Sequence, residues 1–116
     1  MNKYIFILFF LFSVSSIQGQ LQDFEGIWIS TETKFLTTFI ISEDLNSVKA
    51  LSYSFDSDSK INELVSSFDD VSISTKSENE DNGYTVDVTY ILINKNLLQA
   101  KITGDGTADI KYVRLY

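Results

Sequence analysis

The feature that most limits how this chain can fold is a period of two. In Tyr84-Thr85-Val86-Asp87-Val88-Thr89-Tyr90 the tyrosines and valines fall on one face and the threonines and Asp87 on the other. That is the alternation of a half-buried antiparallel strand. Similar short runs cover Gly26 to Thr31, Lys34 to Ser42, Ser47 to Asp56, Ile61 to Ser67, Val71 to Lys76, Tyr84 to Asn94, Leu97 to Thr103 and Thr107 to Leu115. The connections are short, the longest running from Ser77 to Gly83. A parallel pair needs a crossover of a dozen or more residues, so these connections predict an all-β antiparallel meander. No proline interrupts it, and Asn82-Gly83 and Asp105-Gly106 are dipeptides that accept the positive φ of hairpin turns.

The fourth run supports two readings. Ile61, Leu64, Val65 and Phe68 also stand at helical spacing, with Ser59 placed to cap a helix and Glu63 in its first turn. As a strand, the run completes an eight-stranded barrel. As a short helix at 59–68, it leaves a seven-stranded sandwich or half-barrel.

Composition bounds the setting. Residues 1–19 hold one charge, Lys3, then the apolar run Ile5 to Phe12 and small residues ending at Gly19. This is the tripartite form of a secretory signal peptide, its apolar run too short for a bilayer core of about 30 Å. Cleavage is expected within Ser16 to Gln20, leaving one domain, residues 20–116, secreted or periplasmic. A lipoprotein anchor needs a cysteine and the chain has none, so no lipid anchor or membrane insertion is expected. Loss of Lys3 takes the net charge from −7 to −8. Such a surface repels phosphate backbones, which excludes nucleic acid as an expected partner.

Histidine is absent as well as cysteine. Triad nucleophiles, imidazole acid–base chemistry, thiol redox chemistry and ordinary zinc or copper sites lose their principal residues. Carboxylate chemistry survives, but the pairs Glu43-Asp44, Asp69-Asp70 and Glu80-Asp81 all fall in predicted turns, where nothing desolvates a general acid. Asp56-Ser57-Asp58-Ser59 alternates oxygens like part of a calcium loop but lacks the glycine and distal glutamate of an EF-hand. It reads as a polar hairpin loop. Neither a catalytic site nor a metal or other cofactor is expected.

The aromatic residues carry the functional reading. Alternation puts Phe35, Phe39 and Ile41 on one face, as it does Leu51, Tyr53 and Phe55, then Val86, Val88 and Tyr90, and finally Ile110, Tyr112 and Arg114. Tyrosine hydroxyls among apolar walls can orient a small amphipathic ligand. An eight-stranded barrel is just wide enough either to fill with side chains or to admit one such molecule. Phe39, Tyr53, Phe55, Val88, Tyr90 and Tyr112 are therefore the candidate ligand-binding residues. Two functions stay open: non-catalytic binding of a small apolar or amphipathic molecule, or a structural or protein-interaction module with a filled core.

The first strand resembles a known family. Phe24-Glu25-Gly26-Ile27-Trp28 is similar to the Gly-x-Trp signature of lipocalins and related calycin barrels, and Arg114 resembles the arginine that covers that tryptophan. The closest likeness is to small bacterial lipocalin-like domains. The resemblance implies a small eight-stranded barrel, exported, often binding hydrophobic molecules at its open mouth. Gly26, Trp28 and Arg114 would then close the barrel's base. The chain departs from the family in its shortness and in lacking a long helix after the barrel.

Overall fold

Each short connection turns the chain back beside the strand it has just left. The computed structural model describes residues 20–30, 32–56 and 58–116. The strands are β1 (Gly26–Ser30), β2 (Phe35–Ile41), β3 (Val48–Ser54), β4 (Ser59–Phe68), β5 (Ser72–Asn79), β6 (Thr85–Asn94), β7 (Leu97–Gly104) and β8 (Ala108–Arg114). Every neighbouring pair is antiparallel, and β8 returns to β1, so the eight strands form one closed meander barrel. Closure removes the exposed sheet edges that an open meander would leave. The expected leader, residues 1–19, and Thr31 of the first predicted strand lie outside the described residues. Among those residues, no helix is long and apolar enough to cross a membrane.

Residues 59–68 are a strand, which excludes the helical alternative and its sandwich or half-barrel. Ser59, Ile61, Glu63 and Val65 alternate inward while Lys60, Asn62 and Leu64 face out. A bulge between Val65 and Ser67 then shifts the register against β5. This shift brings Phe68 into apolar contact with the core, and together with the outward-facing Leu64 it mimics a helical stripe in the sequence.

The barrel has a plugged end and an open end. At the plugged end a single 3₁₀ turn, Leu21–Phe24, lies across the floor with both of its apolar residues buried. Sequence periodicity did not reveal this turn, because four residues are too few to show a period. Trp28 is fully buried and its indole Nε1 donates a 2.8 Å hydrogen bond to the Phe24 carbonyl, fixing the plug. Arg114 lies over the indole, its guanidinium carbon 4.3 Å from the ring centroid. The same guanidinium donates to the carbonyls of Lys95 (2.7 Å), Glu25 (2.5 Å) and Asp23. One side chain thus ties the last strand to the plug and to the β6–β7 turn.

Above this floor stands a column of edge-to-face rings. Phe24 meets Phe39 at 5.7 Å, Phe39 meets Tyr90 at 5.0 Å, and Tyr90 meets Tyr112 at 5.9 Å. Such contacts contribute about 0.5–1.5 kcal/mol each beyond the area they bury. The column carries the packing from the plug up to mid-barrel, where it stops.

One face assignment is corrected. Leu51, Tyr53 and Phe55 were expected to point inward, but Leu51 and Phe55 are each 50% exposed and Tyr53 is only partly buried. The inward residues of β3 are Val48, Ala50, Ser52 and Ser54. Register explains it: Phe39 pairs with Ala50, Thr37 with Ser52 and Phe35 with Ser54, and directly opposed residues share a face. With Phe39 inside, the larger apolar set of β3 must be outside, since a one-residue offset reverses every side chain.

A cavity with one buried carboxyl

The open end is hollow because the inward residues there are small. Along β3 the inward sequence passes from Val48 and Ala50 near the floor to Ser52 and Ser54 near the mouth, and along β5 from Ile73 to Thr75 and Ser77. Large side chains face them from β6 and β8. The result is a cavity of about 390 Å³. Apolar walls come from Phe35, Ile61, Val86, Val88, Ile102 and Ile110, and polar atoms from Ser52, Ser54, Glu63, Ser77, Tyr90 and Tyr112. At the rim Tyr84 lies against Gly106, where a Cβ would collide with the phenol hydroxyl. The glycine of the β7–β8 turn therefore makes room for a tyrosine at the mouth, while the positive φ of that turn falls on Gly104.

Of the candidate ligand-binding residues, the structure brings Val88, Tyr90 and Tyr112 to the cavity wall. Phe39 lies beneath it, buried in the ring column. Tyr53 and Phe55 are on the outer surface, stacked edge to face at 5.3 Å, with the Tyr53 hydroxyl donating to Asp58. That contact and burial raise the Tyr53 pKa. Gly26, Trp28 and Arg114 meet at the plugged end, away from the cavity.

Glu63 is the residue sequence reasoning passed over. It entered only as a first-turn residue of the helical alternative, but as an inward member of β4 it brings a carboxyl to the cavity wall. The signal was present in period two: Ile61, Glu63 and Val65 put a single acid on an otherwise apolar face. Oε1 accepts hydrogen bonds from Tyr90 Oη at 2.8 Å and from Ser52 Oγ, which shares a 2.8 Å bond with Thr37. Oε2 is shut off from solvent and receives no hydrogen bond. Thr75 is near enough to favour the anion without completing a bond to that oxygen.

No protein-family signature, curated protein or solved structure matches this chain. Its site must be read from its own chemistry.

Burial raises the Glu63 pKa above its ordinary value, against the pull of the Ser52, Tyr90 and Thr75 hydroxyls. Tyr90 is pushed well up by its own burial and then by the Glu63 charge, and Tyr112 is also raised, mainly by burial. The phenols thus stay neutral donors, and the burial around the carboxyl makes its charged form costly. Folded protein binds the Glu63 proton more tightly than unfolded protein, so this group favours folding at acid pH. That contribution fades as pH rises from the ordinary value of 4.5 through the raised one. Glu63→Gln is expected to be more stable than the parent protein at pH 7 to 8, with the gap closing toward pH 4. Urea unfolding across that range checks it, and a gap independent of pH would contradict it.

The turn carboxylates have a different role. Asp69 accepts backbone hydrogen bonds from Val71 (2.9 Å) and Ser72 (2.8 Å), and Asp44 accepts from the Ser42 hydroxyl (2.7 Å) and the Asn46 amide (3.1 Å). These bonds lower both pKa values and pin the β4–β5 and β2–β3 turns. Ser57 of the Asp56–Ser59 loop lies outside the described residues. Among the described residues, no three acidic side chains converge as a metal site would require.

Proposed function

We propose that the protein is a non-catalytic binder of a small amphipathic molecule, held inside a calycin-type barrel and working outside the cytosol. The observation that carries this reading is the cavity. Its 390 Å³ falls within the roughly 300–1,000 Å³ of small-molecule sites, and apolar walls surround a few convergent polar groups. Trp28 beneath Arg114 at the plugged end supports the calycin assignment, and the leader-like first nineteen residues support export. Among the described residues, Glu63 is the only carboxyl on the cavity wall. Hydrolysis of glycosides ordinarily needs two, so binding accounts for the site better than catalysis.

The test is thermal unfolding against a panel of apolar and amphipathic compounds. A ligand at a hundred times its Kd stabilises by about 2.7 kcal/mol, which raises the Tm of a domain this size on the order of 10 °C. Val86→Trp, which fills the cavity from β6, is expected to remove the shift while preserving a folded barrel. If no compound shifts the Tm of the parent protein, the filled-core interaction module becomes the better reading.

A further inference from the structure

Building on the binding reading, we infer that this cavity selects a cation: a small amine on a short apolar body, its ammonium held against the Glu63 carboxyl. Three observations converge on it. First, among the described residues the wall contains one carboxyl and neither lysine nor arginine. A ligand carboxylate entering here would bring a second negative charge beside Glu63 with nothing to neutralise either. Second, Glu63 Oε2 lacks a hydrogen-bond donor, and a buried group left in that state is costly. The terminal torsion of a glutamate is broad, so the carboxyl can turn to offer an oxygen to an N–H in the cavity. An ammonium supplies the missing donor and the missing charge together. A neutral alcohol supplies the donor without a charge to pair with the carboxylate form.

Third, the surroundings favour a cation at longer range. The Tyr90 and Tyr112 rings form the wall beside Glu63, and aromatic faces attract ammonium groups. The chain as a whole carries a net charge of −7, which raises the local concentration of cations at the mouth. The apolar side chains farther up the wall then take the body of the ligand. The volume suits a molecule the size of a phenylalkylamine rather than a long-chain lipid.

Three probes of nearly one shape separate charge from size: 2-phenylethylamine, 2-phenylethanol and 3-phenylpropanoate. Titration calorimetry at pH 7.5 would measure each with the parent protein, Glu63→Gln and Val86→Trp. The expected result is an amine about ten-fold or more tighter than the alcohol, with the carboxylate weakest, as a charge-assisted pair in a desolvated site implies. Glu63→Gln is expected to erase the amine's advantage while changing the alcohol's affinity less than about three-fold, and Val86→Trp to weaken all binding. An amine no tighter than the alcohol, or an amine affinity indifferent to Glu63→Gln, overturns the cation inference. If in that case the alcohol still binds and Val86→Trp abolishes it, the cavity reading survives alone. If no probe binds at millimolar concentration and the wider panel is also silent, both readings fall.

Discussion

Replacing Trp28 with alanine is expected to destabilise the protein by about 3–5 kcal/mol, the range for large-to-small changes at fully buried aromatic positions. The indole has no exposed surface, so the whole ring volume becomes a void or must be filled by collapse. Two further losses follow. The Phe24 carbonyl loses its 2.8 Å donor, and Arg114 loses the ring 4.3 Å beneath it. The plug turn is thereby loosened from below and from above. Urea unfolding measures the change, and a loss under about 1 kcal/mol would mean the floor of the barrel is held by something else. Because the indole sits beneath the ring column and not on the cavity wall, ligand affinity at temperatures where the variant stays folded is expected to change little.

Gly26→Ala is expected to cost about 3 kcal/mol or more, nearly as much as losing the tryptophan, although it adds a single methyl group. Gly26 has φ of 125°, a region that side chains rarely occupy. A Cβ there would strike the backbone carbonyl of Tyr116 and the Arg114 guanidinium. Neither can retreat freely: Tyr116 O accepts the Ile27 amide at 3.1 Å, and Arg114 is bound to the Glu25 carbonyl at 2.5 Å. Gly83→Ala provides the contrast. That glycine also has a positive φ, 73°, but nothing lies within 4 Å of an added Cβ, so only backbone strain of about 1 kcal/mol is expected. Equal losses in the two variants would show that backbone conformation alone, and not the close approach of the chain end, dictates Gly26.

These two residues show why the architecture was legible. Gly-x-Trp and the distant arginine meet as the resemblance implied, and alternation with short turns was enough to specify an antiparallel meander, whose closure depended on reading the fourth run as a strand. The helical stripe of residues 61–68 was misleading for two reasons: Leu64 is an apolar residue on the outward face, and a bulge interrupts the two-residue period at Val65 to Ser67. The cavity was harder to read. On β3 the apolar residues Leu51 and Phe55 face outward while Ser52 and Ser54 face in, so hydrophobicity pointed to the wrong face. What decides the face is the pairing of Phe39 with Ala50 across the β2–β3 hairpin, a register set by its turn and not by either strand alone. Glu63 was hidden for a related reason: its importance lies in the serines opposite, whose smallness leaves room around a carboxyl. A search for prominent side chains finds walls more readily than the space between them.

The clasp between Arg114 and the plug also sets an order of events. Its hydrogen bonds join residues 89 and 91 positions apart in the chain, and contacts of such long sequence separation form slowly and late. Hairpins from β2 to β7 can pair as soon as each turn is made, but the ring cannot shut until β8 has arrived beside β1. Until then the paired strands form an open ribbon with two unpaired edges. Closing the barrel, seating its floor and enclosing the cavity therefore all depend on the same pairing of β8 with β1.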